Sequence, residues 1–264
     1  MIDCHVHTRR CGHGEGDVAD YVDEARRKGL SVITFTEHAP LPDYLDPERC
    51  YAMPPDEFRE YEREVRSENV DGALRVLFGI EADWLPDATG YAIPGDPDGN
   101  RYDMILGAVH FVDGWAFDDP DLIEMYETTD VDRLWERYFA EVALAAESGR
   151  FDVMAHPDLV KKFRYMPSFD LADLYDETAR RFAAAGVTAE VSTAGLRKPC
   201  AELYPAQALL ERLRAHGVPI TVGSDAHRPA EVGAGWDEAI AALSAAGYSR
   251  IVYFERRTMQ EVRL

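Results

Sequence analysis

The sequence predicts an α/β protein, a distorted TIM-barrel-like ring of seven parallel strand-then-helix units, with residues 1–264 forming one domain. Three observations predict it. Short runs of β-branched residues alternate with longer charged segments of helical period, the pattern of a parallel sheet wrapped by helices. The runs number seven, and no Ser/Gly linker or low-complexity stretch separates them. The longest loops, rich in Pro, Gly, Asp and aromatic residues, all follow strand C-termini, the face on which barrels of parallel strands assemble their sites.

The first strand is expected over residues 2–7; Asp17 then caps a helix that stops near Gly29. The second strand spans 30–36, and runs at 74–80, 104–109, 151–155, 187–191 and 219–223 complete the seven. Helices are expected over 56–67, 131–148, 170–185, 205–216 and 237–246. The tail, 250–254, is expected to add a short closing strand. The loops 39–53, 85–102 and 112–130 suit the enclosure of a ligand; the plainer reading is an unstructured insertion.

Bulk properties narrow the partners. Lys plus Arg total 28 against 49 Asp plus Glu, a net charge of −21, and such a field repels phosphate backbones and anionic lipid. No nucleic-acid partner and no membrane are therefore expected; the start, Met1-Ile2-Asp3-Cys4-His5, lacks a basic, apolar leader, and no apolar stretch of about 18 residues occurs, which predicts a cytoplasmic protein. The four cysteines, Cys4, Cys11, Cys50 and Cys200, are scattered and read as free thiols. Oligomeric state is not readable.

The informative feature is where the histidines fall. Seven of the eight lie at or just beyond the C-terminal end of an expected strand; His216, on a helix end, is the exception and reads as a surface cap. His5 and His7 flank Val6, and Asp225 and His227 flank Ala226, so strand alternation turns each pair to one side. Between them come His13, Glu37-His38, Glu81, His110 and His156. Any one of these alone reads most simply as a solvated or hydrogen-bonded residue. Converging from six strand ends, they would bury many titratable groups at close range, which is unfavourable unless cations neutralise them. Nine such groups suit three sites, and mixed nitrogen and oxygen donors favour zinc, manganese or iron over calcium or magnesium.

At these residues the sequence resembles the polymerase-and-histidinol-phosphatase (PHP) family. The motifs His5-Val6-His7-Thr8, Cys11-Gly12-His13, Thr36-Glu37-His38, Gly79-Ile80-Glu81, Val109-His110, Ala155-His156-Pro157 and Gly223-Ser224-Asp225-Ala226-His227 occur in the family's order. The resemblance implies one divalent ion held by His5, His7, Glu81 and Asp225, a second by Glu81, His110 and His156, and a third by His13, His38 and His227. Glu37 is expected to hydrogen-bond a ligand histidine. Two further stretches, Asp158 to Phe163 and Ser192 to Pro199, look like the histidinol phosphatase branch. There Lys161, Lys162, Arg197 and Lys198 stand as local cations in an acidic chain, suited to a phosphate; ordinary solvated loop charges are the alternative.

The resemblance thus implies hydrolysis of L-histidinol phosphate by attack of a metal-held hydroxide on phosphorus, with no covalent phospho-enzyme. Arg197 and a lysine would orient the phosphate, Asp225 or His227 would move the proton to the departing alcohol, and Glu190, near the mouth, would meet histidinol's ammonium. Two rivals stand beside it: a phosphoesterase of the same family acting on nucleotides or another small phosphomonoester, and a metal-stabilised scaffold without activity.

Overall fold

The computed structural model describes residues 1–68, 72–86, 91–94 and 101–264; parts of the expected loop 85–102, namely 87–90 and 95–100, lie outside the described residues. Seven strands, β1 (Ile2–Val6), β2 (Val32–Phe35), β3 (Arg75–Asp83), β4 (Met104–Ala108), β5 (Val153–Met154), β6 (Thr188–Ser192) and β7 (Ile220–Gly223), form one parallel sheet in chain order. The sheet curls until its edges meet. Just past β1 and β7, Val6 pairs with Ala226, the His7 amide donates to the Ala226 carbonyl at 2.9 Å, and the Asp225 amide donates to the His5 carbonyl at 2.7 Å. The result is the nearly closed β/α barrel expected from the sequence.

Helices α1 (Val18–Arg27), α2 (Phe58–Ser67), α3 (Val131–Glu147), α4 (Ala172–Ala185), α5 (Gln207–Ala215) and α6 (Trp236–Ala245) surround it. Their ends follow local chemistry. The Asp17 amide donates to the Asp20 carboxylate at 2.8 Å before α1, Asp130 accepts from the Arg133 amide before α3, and α4 ends on Gly186 in the left-handed region. The apolar stripe of α3, with Trp135, Tyr138, Phe139 and Val142, is buried, as are the strand residues Ile105, Leu106 and Val153. Each large side chain so buried contributes about 2–3 kcal/mol relative to exposure.

At three places the structure differs from the expected elements or adds to them. The tail does not close the barrel: β8 (Arg250–Glu255) turns back on β9 (Thr258–Arg263) as an antiparallel hairpin beside β7. The loop after β4 is ordered, carrying a small ribbon, Phe111–Val112 against Trp115–Ala116, and a 3-10 helix, Pro120–Thr128. And β3 runs three residues further than expected, so that Glu81 and Asp83 lie on the strand itself.

Candidate metal centre

β1 and β3 supply the centre of the site. Alternation along β1 puts Asp3, His5 and His7 on one side, and along β3 does the same for Glu81 and Asp83. The Glu81 carboxylate sits in the middle, 2% exposed, with five imidazoles around it. One oxygen, Oε2, lies 3.3 Å from His5 Nε2, 3.5 Å from His7 Nε2 and 3.0 Å from His38 Nδ1. The other, Oε1, lies 3.0 Å from His156 Nε2 and 3.9 Å from His110 Nε2. His38 is held there because the sheet continues past β2, with Ala39 donating to the Glu81 carbonyl at 2.7 Å.

Asp225 completes a second corner, its Oδ1 lying 3.3 Å from His7 Nε2 and 3.8 Å from His5 Nε2. His13 and His227 meet Nε2 to Nε2 at 2.9 Å, and the His7 ring stacks between those of His38 and His227 at 4.2 and 4.4 Å. Eight of the nine residues singled out in the sequence have donor atoms within 4.8 Å of one another in overlapping trios: His5, His7 and Asp225; His5, Glu81 and His156; His38, Glu81 and His110; His7, His38 and His227. Cys11 joins His13 and His227 in a further trio, although its buried thiol donates to the Thr8 carbonyl at 3.1 Å.

Two of these residues are in unusual backbone conformations, His156 at φ 26° and Asp225 at φ 51°, a left-handed region that costs an ordinary residue about 1–3 kcal/mol and is concentrated at functional sites. Asp3 holds the second of them. Its carboxylate, 1% exposed, accepts from the Ser224 amide at 2.8 Å, the Ser224 hydroxyl at 2.6 Å, the Gly233 amide at 2.7 Å and the His5 amide at 3.4 Å.

The electrostatics reflect burial set against close imidazole–carboxylate pairing. Burial pulls the His5 imidazole down, but Glu190, Glu81 and Asp225 hold it well above its usual range. Burial likewise opposes His7 and His110, yet Asp225 and Glu37 lift the first to about 9 and Asp83 lifts the second to about 10. Burial pushes Glu81 and Asp225 up, and the surrounding imidazoles more than reverse it, holding both well below the carboxylate range. His5 Nε2, His7 Nε2, Glu81 Oε2 and His156 Nδ1 are buried without a hydrogen-bond partner, a concentration of unsatisfied donor atoms that bound cations would relieve. The donor set and these orphaned atoms fit divalent transition metals.

The expected phosphate-binding residues divide. Arg197 is exposed beside the cluster, its Nη2 donating to the Ser224 carbonyl at 2.7 Å and its Nε 3.5 Å from Glu231. Lys198 is exposed next to it. Lys162 pairs at 3.0 Å with Asp118, whose carboxyl is pushed up by burial but brought down to about 2 by Lys162, His110 and His156. Lys161 points elsewhere: 3% exposed, its ammonium is taken up by Asp158 at 2.9 Å, the Leu203 carbonyl at 2.7 Å and Glu202 at 3.3 Å. All three partners belong to the protein, so Lys161 serves a buried ion pair in this structure.

Glu190 also departs from expectation. It is fully buried rather than at the mouth, with Oε1 2.8 Å from His5 Nδ1 and Oε2 accepting from the His156 amide at 2.9 Å, so neither oxygen is presented to a substrate ammonium. Glu37 faces His7, Oε1 to Nδ1 3.5 Å, while its other oxygen accepts from the Thr8 amide and hydroxyl. Asp3, Asp83 and Asp118 were not foreseen. Asp83 lies 2.9 Å from His110 Nδ1, and the signal for it and for Asp3 was their place two residues from Glu81 and His5 on the same strands.

Fold and cluster together define a parallel β/α barrel with an imidazole–carboxylate centre in its mouth. The chain belongs to the PHP domain family, whose pattern matches residues 3–194, with a PHP-associated segment over 208–242. It is 36% identical over 264 residues to a protein of Deinococcus radiodurans described as a probable histidinol-phosphatase, covering 98% of both chains. It is 28% identical to the histidinol-phosphatase of Bacillus subtilis, over 88% of this chain and 95% of the other. In fold it is similar to histidinol phosphate phosphatase from Lactococcus lactis, solved with zinc, L-histidinol and phosphate: TM-score 0.76 at 19% identity, over 98% of each chain.

Proposed function

We propose that residues 1–264 act as one metal-dependent phosphatase that hydrolyses L-histidinol phosphate to L-histidinol and phosphate. The observation that carries this reading is the full-length likeness, 36% over 98% of both chains, to a relative described as a histidinol-phosphatase. The orphaned donor atoms of the cluster supply its chemical basis.

Three divalent ions, zinc, manganese or iron, would be held by His5, His7, Glu81 and Asp225; by Glu81, His110 and His156; and by His13, His38 and His227. Bound there, they would lower the pKa of water and offset charge on the transferred phosphoryl group. Arg197 swings its guanidinium from the Ser224 carbonyl to two phosphate oxygens, a bidentate contact that fixes the ester in line. Lys162 and Lys198 add point charge on either side. Hydrolysis forms a bond from the water oxygen to phosphorus and breaks the one to the ester oxygen, and the proton given up by that water would be relayed to the departing alcohol by the Asp225–His227 end, where Nδ1 and Oδ1 are 3.5 Å apart.

No helix among the described residues is long and apolar enough to cross a membrane, and the −21 charge disfavours nucleic acid, in keeping with a cytoplasmic enzyme acting on a small phosphomonoester. The test is a steady-state comparison of histidinol phosphate with a nucleoside monophosphate, using chelated protein resupplied with each metal in turn. A kcat/KM at least tenfold in favour of histidinol phosphate is expected; preference for the nucleotide would overturn the substrate assignment.

A further inference from the structure

Glu190 is fully buried, and each of its carboxylate oxygens has one donor on a different strand or its extension. From β6 it sends one oxygen across β7 to His5 on β1, at 2.8 Å, and the other back to the amide of His156 beyond β5, at 2.9 Å. The crossing depends on Gly223 of β7: a Cβ there would lie 2.2 Å from Glu190 Oε1 and 2.4 Å from the His5 Cβ. Three strands are thus tied by one fully buried side chain next to the trio of His5, Glu81 and His156.

We propose that Glu190 is a positioning residue for the metal centre, fixing two of its imidazoles at once rather than recognising substrate. Accepting the Nδ1 proton leaves the His5 lone pair on Nε2, aimed at Glu81 and Asp225. Accepting the His156 amide holds that residue at φ 26°, the conformation that delivers its Nε2 to Glu81 at 3.0 Å. A carboxylate is required because both partners are donors; a glutamine offers one acceptor oxygen and turns its NH2 against the other N–H.

The inference rests on the proposed metal centre, and its test is read from zinc rather than from turnover. Zinc bound per chain is measured by elemental analysis and by competition with a chromogenic chelator in the wild type, in Glu190→Gln and in Glu190→Asp. Both variants are expected to hold zinc at least tenfold more weakly, the range found when such partners of ligand histidines are lost. At saturating zinc the glutamine variant keeps the wild-type KM for histidinol phosphate, with the loss confined to kcat. Melting temperatures of the chelated proteins are taken in parallel; equal values in wild type and variants separate a metal-positioning role from a folding role, and a variant that fails to fold leaves the other to decide. Wild-type zinc retention in both variants, or a raised KM with full zinc, overturns the proposal and returns Glu190 to the substrate. A wild-type chain that holds zinc yet hydrolyses no phosphomonoester would sink the phosphatase reading alone.

Discussion

Replacing Asp3 by asparagine changes one atom, and the structure sets the size of the effect. Four donors converge on the carboxylate: two amides and a hydroxyl at 2.6–2.8 Å, and the His5 amide at 3.4 Å. If the new NH2 takes the Oδ2 position, the Ser224 hydroxyl can turn to accept from it, but the Gly233 N–H, 2.7 Å away, then faces another donor. If it takes the Oδ1 position, the Ser224 and His5 amides are stranded instead. The better choice loses one buried bond to a charged acceptor, about 1.5–3 kcal/mol. Urea unfolding of the chelated protein at neutral pH is the assay, so that metal binding does not mask folding. Because Ser224 precedes Asp225, zinc affinity should fall along with stability. A change in unfolding free energy below about 0.5 kcal/mol, the scale of an ordinary surface substitution, would refute this account of how β1 holds the loop after β7.

Other outcomes follow from the same contacts. Chelation should abolish activity and lower the melting temperature, and the gap between loaded and chelated protein should widen as pH rises. His7 and His110, raised in the chelated fold to about 9 and about 10, stabilise it fully only below the unfolded value of about 6.5 and cease to do so as pH passes those values, whereas metal binds their neutral forms. Calorimetry from pH 6.5 to 10 that found a constant gap would count against the cluster. Arg197→Ala should raise KM for histidinol phosphate about 10- to 100-fold, the equivalent of a lost charged bidentate contact, with zinc content unchanged. Lys161→Met should do the reverse, costing about 3–5 kcal/mol by stranding Asp158 while leaving KM alone in protein that folds; a KM effect equal to that of Arg197→Ala would restore Lys161 to the phosphate site.

The barrel and the clustering of the histidines and acids were legible for the same reason: a parallel strand ends where its β-branched run ends, and these residues stand at those ends. What escaped was chemistry that depends on partners. The ribbon after β4 carried a readable hairpin signal in Asp113-Gly114, both of which take positive φ, whereas the β8–β9 turn places Arg256 and Arg257 there and gave none. That turn is held from outside, the Arg256 and Arg257 amides donating to Asp103 at 3.0 and 2.9 Å. Glu190 and Lys161 were misplaced because polarity and parity say that a charged residue faces inward, not how deep it lies or which neighbour it meets. Asp83 and Asp3 obey the alternation applied to His5 and His7, and extending it by one step along each strand would have found them.

The seam between β1 and β7 has a consequence for biosynthesis. His5 and His7 leave the ribosome first, yet the residues that complete their corner, Asp225 and His227, follow more than two hundred positions later and on the other side of the joint. A nascent chain can fold its early units, since synthesis delivers them in order, but it cannot offer a finished cage to an ion until the last barrel strand docks against the first. On the proposed ligand assignment, metal capture would be postponed to the end of folding, and a truncated product would carry most of the histidines without the geometry that brings them together.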